Sequence, residues 1–555
     1  MTALVRASLV AALMLSPVIG VAQLAPDTSL VPPASPVRAF LTGPTLPGAQ
    51  WPSIEDVSAD VQRAYERMNW APLWSDKGRP TTAAQGVVKF LVAVDSLGLN
   101  PRDFDAGLLD SLARAAAVSP LDEETQARFE ATLSVATARV LSALRWGRVR
   151  QTKAYPTLRR SRDDYDLGAG VYAVSRTPDP LPVFDQAAPQ WTPYRQLSGA
   201  LPGARRIADD SLLVAEPVKK GATFQAAPQL RRLLGVYGIP ADSATPPPPI
   251  DTTLDASLER LLRKFQKENK VPQTGAFDVA TRDRMRAVFR GRVRDAVLSL
   301  ERWRWLPRTA DGRAIIVNVP EYRLRAYDTV QGGHAPAFGM KVVVGRGVED
   351  RYTPLFTDEV EHLIFSPFWE VPKTIALDEI VPKIAKDSTY LARNRYILVR
   401  GTSDTAKALA PDSATIAKIG KSVRVRQLPG DYNSLGRIKF MLPNHLNIYL
   451  HDTNEKQFFK RDERALSHGC IRVSEPTRLA QWILDGDTAW TEERMKKAMK
   501  QEKPETVHLS SHIPVLIVYH TAGVDDHGML RSFKDVYKYD AELEKLLAVG
   551  FPYRR

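Results

Sequence analysis

Hydrophobic residues recur at intervals of three and four through the first part of the chain. Val57, Val61, Tyr65 and Met68 keep this spacing, as do Val87, Phe90, Leu91 and Val94, and then Phe129, Leu133, Val140 and Leu144. That period puts apolar side chains on one face of a helix, so residues 52–213 are expected to form a mainly helical scaffold domain. Trp70 and Trp74 read as its core aromatics. A second helical group follows, with Leu230, Leu233, Leu234 and Val236 before a turn-rich loop over 238–250. Asp251-Thr252-Thr253 supplies capping oxygens, and Leu254, Leu258, Leu261, Leu262 and Phe265 then share one face. Gly275-Ala276-Phe277-Asp278 turns the chain into a helix over 279–285. Residues 225–291 therefore read as a small three-helix module, and residues 298–307 as a further helix or bridge.

After residue 313 the period changes. Short β-branched runs, punctuated by Pro and Gly, lie at 314–319, 322–327 and 341–345. Helical and loop character interrupts them over 376–436, and strand signals return at 438–441, 445–451 and 515–519. The expected fold class is multidomain α+β. A mainly helical N-terminal part and the three-helix module precede a mainly β domain over 296–545, which carries a helical insertion at 376–436.

The ends and the charge narrow the setting. Residues 1–22 combine a positive start, an apolar run over 7–18 and small residues at Gly20-Val21-Ala22, the pattern of a cleaved secretory signal. Residues 23–51, rich in Pro, Thr, Ser and Ala without periodicity, are expected to be a disordered tether. No later stretch reaches about 18 consecutive apolar residues, so the chain is not expected to span a membrane. The net charge is +13. For an exported protein this suits anionic polymers of the cell envelope, in the periplasm, better than nucleic acid.

One cysteine in 555 residues, Cys470, excludes an intrachain disulfide framework and any Cys-rich zinc module. All nine histidines fall after residue 333, so chemistry belongs to the C-terminal half. Read as a strand, 445–451 puts His445, Asn447, Tyr449 and His451 on one face and Leu446, Ile448 and Leu450 on the other. Ser467-His468-Gly469-Cys470-Ile471-Arg472-Val473 comes sixteen residues after His451. If an extended segment starts at Cys470, then Cys470 and Arg472 share a face, and Gly469 lets a substrate backbone come close to the sulfur. A thiol is mostly protonated at neutral pH and needs an imidazole to take its proton, and the imidazole needs an orienting group. His451 and His468 can each be drawn as that base. A tight turn at 468–470 would present backbone N–H groups to an oxyanion, and in a known case one such donor is worth about 2.7–4 kcal/mol. A zinc site of His451, His468 and Cys470 has poor spacing and no fourth ligand, so neither metal nor cofactor is expected. His334, His508 and His527 read as solvated loop residues.

His451, fifteen intervening residues and Ser-His-Gly-Cys-Ile-Arg-Val together resemble the signature of the L,D-transpeptidase catalytic domain. Leu-Glu-Arg-Trp-Arg-Trp-Leu-Pro at 300–307, Val-Val-Val-Gly-Arg at 342–346, Phe-Trp-Glu-Val-Pro at 368–372 and Ile-Pro-Val-Leu-Ile-Val-Tyr-His-Thr-Ala at 513–522 resemble its large, multidomain Gram-negative branch. The 225–291 segment, through Leu261, Phe265-Gln266, Asn269, Gly275 and Thr281, resembles a peptidoglycan-binding module. The resemblance implies Cys470 as nucleophile and His451 as general base, with His468 and Gly469 shaping the oxyanion region. Arg472 would hold the site or a substrate carboxylate, and Ser467, grouped with it on the substrate side, matches the family's small hydroxyl position of structural character, with Tyr449 and Trp369 as pocket walls. It further implies peptidoglycan stem tetrapeptides as donor and acceptor, 3→3 cross-links made through a cysteine thioester with loss of D-Ala, and acylation by carbapenems. Residues 376–436 would cap the cleft. Water as acceptor, giving a carboxypeptidase or endopeptidase, and a non-catalytic wall-binding scaffold are the competing readings.

Overall fold

The computed structural model describes residues 35–155, 158, 163–239, 253–330, 333–348 and 351–550. The expected signal at 1–22, the first part of the expected tether, and Asp251-Thr252 lie outside these residues. The rest of the tether segment is packed: helix Pro36–Thr42 buries Val37 and Leu41 in the same core as Val57, Val61 and Tyr65. Two helical turns are too short to display a repeat, which is why periodicity missed them.

Helices Ser58–Glu66, Thr82–Val92, Ala106–Val118 and Glu123–Trp146 build the N-terminal domain. The last is capped by Asp122, whose side chain accepts from the Thr125 N–H, and it is buried along most of its length. Its Glu130 carboxylate is fully buried and accepts from the Leu73 and Trp74 amides, each at 2.9 Å, and from the Tyr65 and Ser75 hydroxyls, each at 2.7 Å. Four donors offset the cost of burying that carboxylate. They also fix the loop that leads into the hairpin of β1 (Ser75–Asp76) and β2 (Arg79–Pro80). Trp74 is a fully buried core residue, as expected, with its indole N–H on Ser134 Oγ at 2.7 Å. Trp70 is only half-buried and stacks on Tyr65.

Helices Ala227–Tyr237, Ala256–Glu268 and Val279–Arg304 share a separate core that includes Leu230, Leu234, Leu258, Leu262, Phe265, Met285 and Phe289. Gln266 is buried at its centre. Its amide donates to Thr281 Oγ1 at 2.8 Å and its carbonyl oxygen accepts from the Gly275 N–H at 2.9 Å, which ties the glycine turn to both helices. The third helix does not stop near residue 285. It runs 26 residues into Leu-Glu-Arg-Trp-Arg and joins the cores, with Phe289 in the small module, Leu300 and Trp303 in the N-terminal core and Leu298 in the C-terminal one. Buried ions fix this spine. Glu301 accepts from the Arg148 and Val149 amides, and Arg302 pairs with Asp540 at 2.6 Å. The 300–307 motif is thus the joint between domains.

The C-terminal domain is a nine-stranded mixed sheet that curls back on itself. It comprises β3 (Ala314–Asn318), β4 (Arg323–Val330), β5 (Gly333–Gly345), β6 (Phe356–Phe365), β10 (Ile438–Met441), β11 (Leu450–His451), β12 (Ala465–Ser467), β13 (Ile471–Val473) and β14 (Glu505–Val518). β7 (Trp369–Glu370), β8 (Tyr396–Val399) and β9 (Arg424–Gln427) form a separate small sheet. The order in the large sheet is β12-β5-β13-β11-β10-β6-β14-β3-β4. Long β5 also pairs along its first part with β4, which brings the two ends of the sheet together. Leu450, Ile471, Ile438, Phe440, Leu363 and Phe365 point into the core. The alternate residues Cys470, Arg472, His451 and Lys439 belong to the opposite face. His334 is not a solvated loop residue. It lies in β5, buried, stacked on Trp191, with Nε2 at 3.0 Å from the Gly312 carbonyl.

The insertion is a unit with its own core of Val371, Ile380, Leu391, Leu398 and Val425. It is not only helical: short helical turns over 373–393 pack on the sheet β7-β9-β8.

Candidate active site

Three neighbouring strands carry the site. β11 and β13 are parallel, with Leu450 opposite Ile471 and His451 opposite Arg472, and β10 runs antiparallel beside β11 with Lys439 opposite His451. Facing residues in paired strands share a side of the sheet. His451, Arg472 and Lys439 therefore point together away from the core, joined by Cys470 and Tyr449 two positions along. The expected face-sharing of Cys470 with Arg472, and of Tyr449 with His451, holds.

The strand expected over 445–451 is much shorter, covering only 450–451. Asn444 is the reason. Its Oδ1 accepts from the Leu446 and Ile448 amides and its Nδ2 donates to the Ile448 carbonyl at 2.8 Å, so the backbone closes a turn. Asn447 takes a left-handed conformation in that turn, and its carbonyl lies 3.5 Å from Cys470 Sγ.

His451 is buried, and its Nδ1–H donates to the Asp452 carbonyl. That hydrogen bond orients the ring and leaves Nε2 as the free lone pair. Asp452 is itself held: its carboxylate accepts from the Arg437 N–H at 2.8 Å and the Thr453 N–H at 2.7 Å, and it pairs with Lys456. Gly436 is required beside it, because a Cβ there would lie 2.3 Å from Asp452 Oδ2. Burial pushes the His451 pKa down to about 3, helped by the nearby charges of Arg472, Lys439 and Lys456, so the ring is neutral. Burial also pushes the Cys470 thiol up, opposed by hydrogen bonding from Tyr449 and by the charges of Lys439 and Arg472. Both shifts favour a neutral thiol beside a neutral imidazole over a preformed ion pair.

The Ser-His-Gly-Cys turn is fixed from behind. Ser467 is buried and bridges the turn, with Oγ donating to the Cys470 carbonyl at 2.7 Å and accepting from the Gly469 N–H at 3.2 Å. Its hydroxyl is committed to the turn, the structural side of its expected role. The Gly469 carbonyl accepts from Thr353 Oγ1 at 2.7 Å, and Thr353 in turn accepts from the Gly345 N–H. Gly469 has φ +122°, and a Cβ there would press on Ile448 and the Tyr352 carbonyl. With the Gly469 amide used internally, the Cys470 N–H is the amide of this turn left for an oxyanion.

The other expected residues divide. Tyr449 packs edge-on to His451 at 5.6 Å, as a wall of the site. Arg472 is held by Glu455 at 2.5 Å and lies over Phe458, so its charge is already compensated and it braces the site. Trp369, the other expected wall, sits at the edge of the insertion. It lies in β7 opposite Gln427 and packs toward Tyr396 in the insertion core. His468 turns its ring to the insertion, with Nε2 at 2.7 Å from Glu379 Oε1. Asp452, Lys439, Glu379, Thr353 and Asn444 were not found by sequence reasoning. Only Asn444, after Pro443 in a turn-forming pair, and Asp452, next to the base, carried any local signal.

The His468–Glu379 contact is half-exposed, and Arg351 lies 3.9 Å from the same carboxylate. Glu379→Ala is expected to raise KM for peptide donors about fivefold, the effect of one partly solvated charge-assisted hydrogen bond. Amide exchange should quicken over 373–393 with little change in global Tm. Unchanged exchange there would show that the contact does not order the insertion.

Residues 312–492 match the family model of the L,D-transpeptidase catalytic domain, and residues 59–201 match a model described as a scaffold domain. A Haemophilus influenzae protein named "Putative L,D-transpeptidase" is 30% identical over 246 residues, 44% of this chain and 48% of that protein. The chain thus spans about half the length of the curated relative it matches. A crystal structure of a fused Zn-dependent amidase/peptidase/peptidoglycan-binding domain-containing protein from Clostridium acetobutylicum aligns at 13% identity. It covers 54% of this chain and 99% of that one, and its TM-score of 0.13 carries no argument.

Proposed function

We propose, from a chain whose residues 312–492 carry an L,D-transpeptidase catalytic domain, that the protein forms 3→3 peptidoglycan cross-links in the periplasm through a thioester on Cys470. The observation that carries this reading is the placement of Cys470 on the same face as a neutral His451 whose Nδ1 is committed to Asp452. His451 Nε2 takes the thiol proton as Sγ adds to the carbonyl of the donor's third residue, and the Cys470 N–H receives the oxyanion. The C–N bond breaks, the imidazolium returns its proton to the departing D-Ala amine, and a thioester remains. An acceptor amine then adds to the thioester, His451 takes its proton, and collapse regenerates the thiol. No step requires a metal or organic cofactor. Among the described residues no helix is long and apolar enough to cross a membrane, which is compatible with an exported enzyme. The three-helix module, by its Phe265-Gln266…Gly275 pattern, would hold glycan strands near the site.

The test is mass spectrometry of the products formed from purified disaccharide-tetrapeptide. A cross-linked dimer with loss of one D-Ala supports the reading. Tripeptide without dimer would make water the acceptor. No Cys470 adduct with a carbapenem and no product would leave only a wall-binding role.

A further inference from the structure

Lys439 lies inside the site, yet the proposed chemistry does not use it. It stands opposite His451 on β10, half-buried, and its Nζ sits 3.9 Å from the centroid of the Tyr449 ring. The ring holds the ammonium through its π-face without neutralising it. Among the described residues Lys439 makes neither a hydrogen bond nor an ion pair through Nζ. The carboxylate that acts on it electrostatically, Glu370, is itself paired with buried Arg426. The other titratable groups around it are Cys470, Tyr449, His451 and His362, none of them an anion when the thiol is protonated. Arg472, the other cation of this face, is already taken by Glu455. A cation held in a partly desolvated site with its own partners withheld is a place for an arriving anion.

Distance indicates which anion. Cys470 and Lys439 are separated by the single strand β11, and strands lie about 4.8 Å apart. Lys439 folds over Tyr449, a residue of the segment between them, and is close enough to Cys470 for the two charges to act on each other. One residue of extended chain spans at most about 3.6 Å. On the peptide-donor reading, the carboxylate on the residue immediately beyond the attacked carbonyl is the donor anion nearest this face.

We propose that Lys439 is a substrate-binding residue that takes the free carboxylate of the donor's C-terminal residue. This rests on the peptide-donor reading above and names the group that donor must present.

The test compares a tetrapeptide donor bearing a free C-terminal carboxylate with the same peptide as its C-terminal amide. The full-length protein and its Lys439→Met and Lys439→Arg variants are used, with iodoacetamide alkylation of Cys470 reporting an intact thiol site. The wild type should prefer the acid at least tenfold in kcat/KM. Lys439→Met should bring the acid-to-amide ratio down to about one, with alkylation slowed to the same extent whichever donor is used because a charge favouring the Cys470 thiolate is gone, and Lys439→Arg should keep most of the preference. An equal loss on both donors, or a preference that survives Lys439→Met, would overturn the proposal. If the wild type processes neither donor, the transpeptidase reading fails. Calorimetric binding of both peptides to Cys470→Ala protein, with and without Lys439→Met, then decides Lys439 on its own: loss of the acid preference supports it and retention overturns it.

Discussion

Cys470→Ala should abolish release of the donor's terminal residue, a loss on the order of 10⁴-fold or more, while unfolding shifts little. The chain has no other thiol to substitute for the nucleophile, and catalytic groups that act as a unit fail together when the attacking atom is removed. The structural cost is small, because the sulfur is half-buried and its hydrogen bond to the Asn447 carbonyl is long, at 3.5 Å. The turn itself is held by Ser467 and Thr353, neither of which touches Sγ. A stability change within about 1 kcal/mol is expected. Chromatographic assay of D-Ala with urea unfolding of the same preparation checks both halves. Residual turnover by a folded variant would remove Cys470 from the mechanism.

His451→Gln should lower the same rate about 10²–10⁴-fold, the range for a lost general base, and also change how stability depends on pH. The folded imidazole titrates near 3, below the usual value near 6.5. Its contribution is fully present above pH 6.5 and is lost as pH falls from 6.5 toward 3, at up to about 1.4 kcal/mol per pH unit. Urea unfolding at a series of pH values should show this slope in the wild type and a flatter one in His451→Gln. The sign for the thiol is opposite. With the Cys470 pKa raised, thiolate appears only at alkaline pH, so alkylation by a neutral reagent should keep rising beyond pH 9. A plateau reached below pH 7 would mean a preformed thiolate and would contradict the neutral pair.

Much of this site was legible because its residues lie on short segments whose periodicity is strict. A two-residue alternation put Cys470 with Arg472, and Tyr449 with His451, before any strand was seen to pair, and the register of β11 with β13 joined the two sets. The same alternation overreached at 445–448. A side chain, Asn444, can satisfy backbone amides as well as a neighbouring strand can, and sequence spacing does not say which partner wins. The helical N-terminal region was readable for the same reason that Pro36–Thr42 was not, since a repeat needs several turns to show itself.

By itself the sequence put forward Cys470 as candidate nucleophile, His451 and His468 as candidate bases, and the order of units, because each depends on neighbours within about twenty residues. Tertiary structure alone decided what those groups meet. Lys439 and His451 are twelve residues apart and become cross-strand partners, while Glu379 reaches His468 from 89 residues away. It also decided that Ser467 is committed to the turn, that Trp369 packs with the insertion core, and that a single helix joins three of the four cores among the described residues. The physical reason is that charge, desolvation and hydrogen-bond satisfaction are set by whatever lies within a few ångströms in space. Strand pairing brings those groups together across sequence separations that no local pattern encodes.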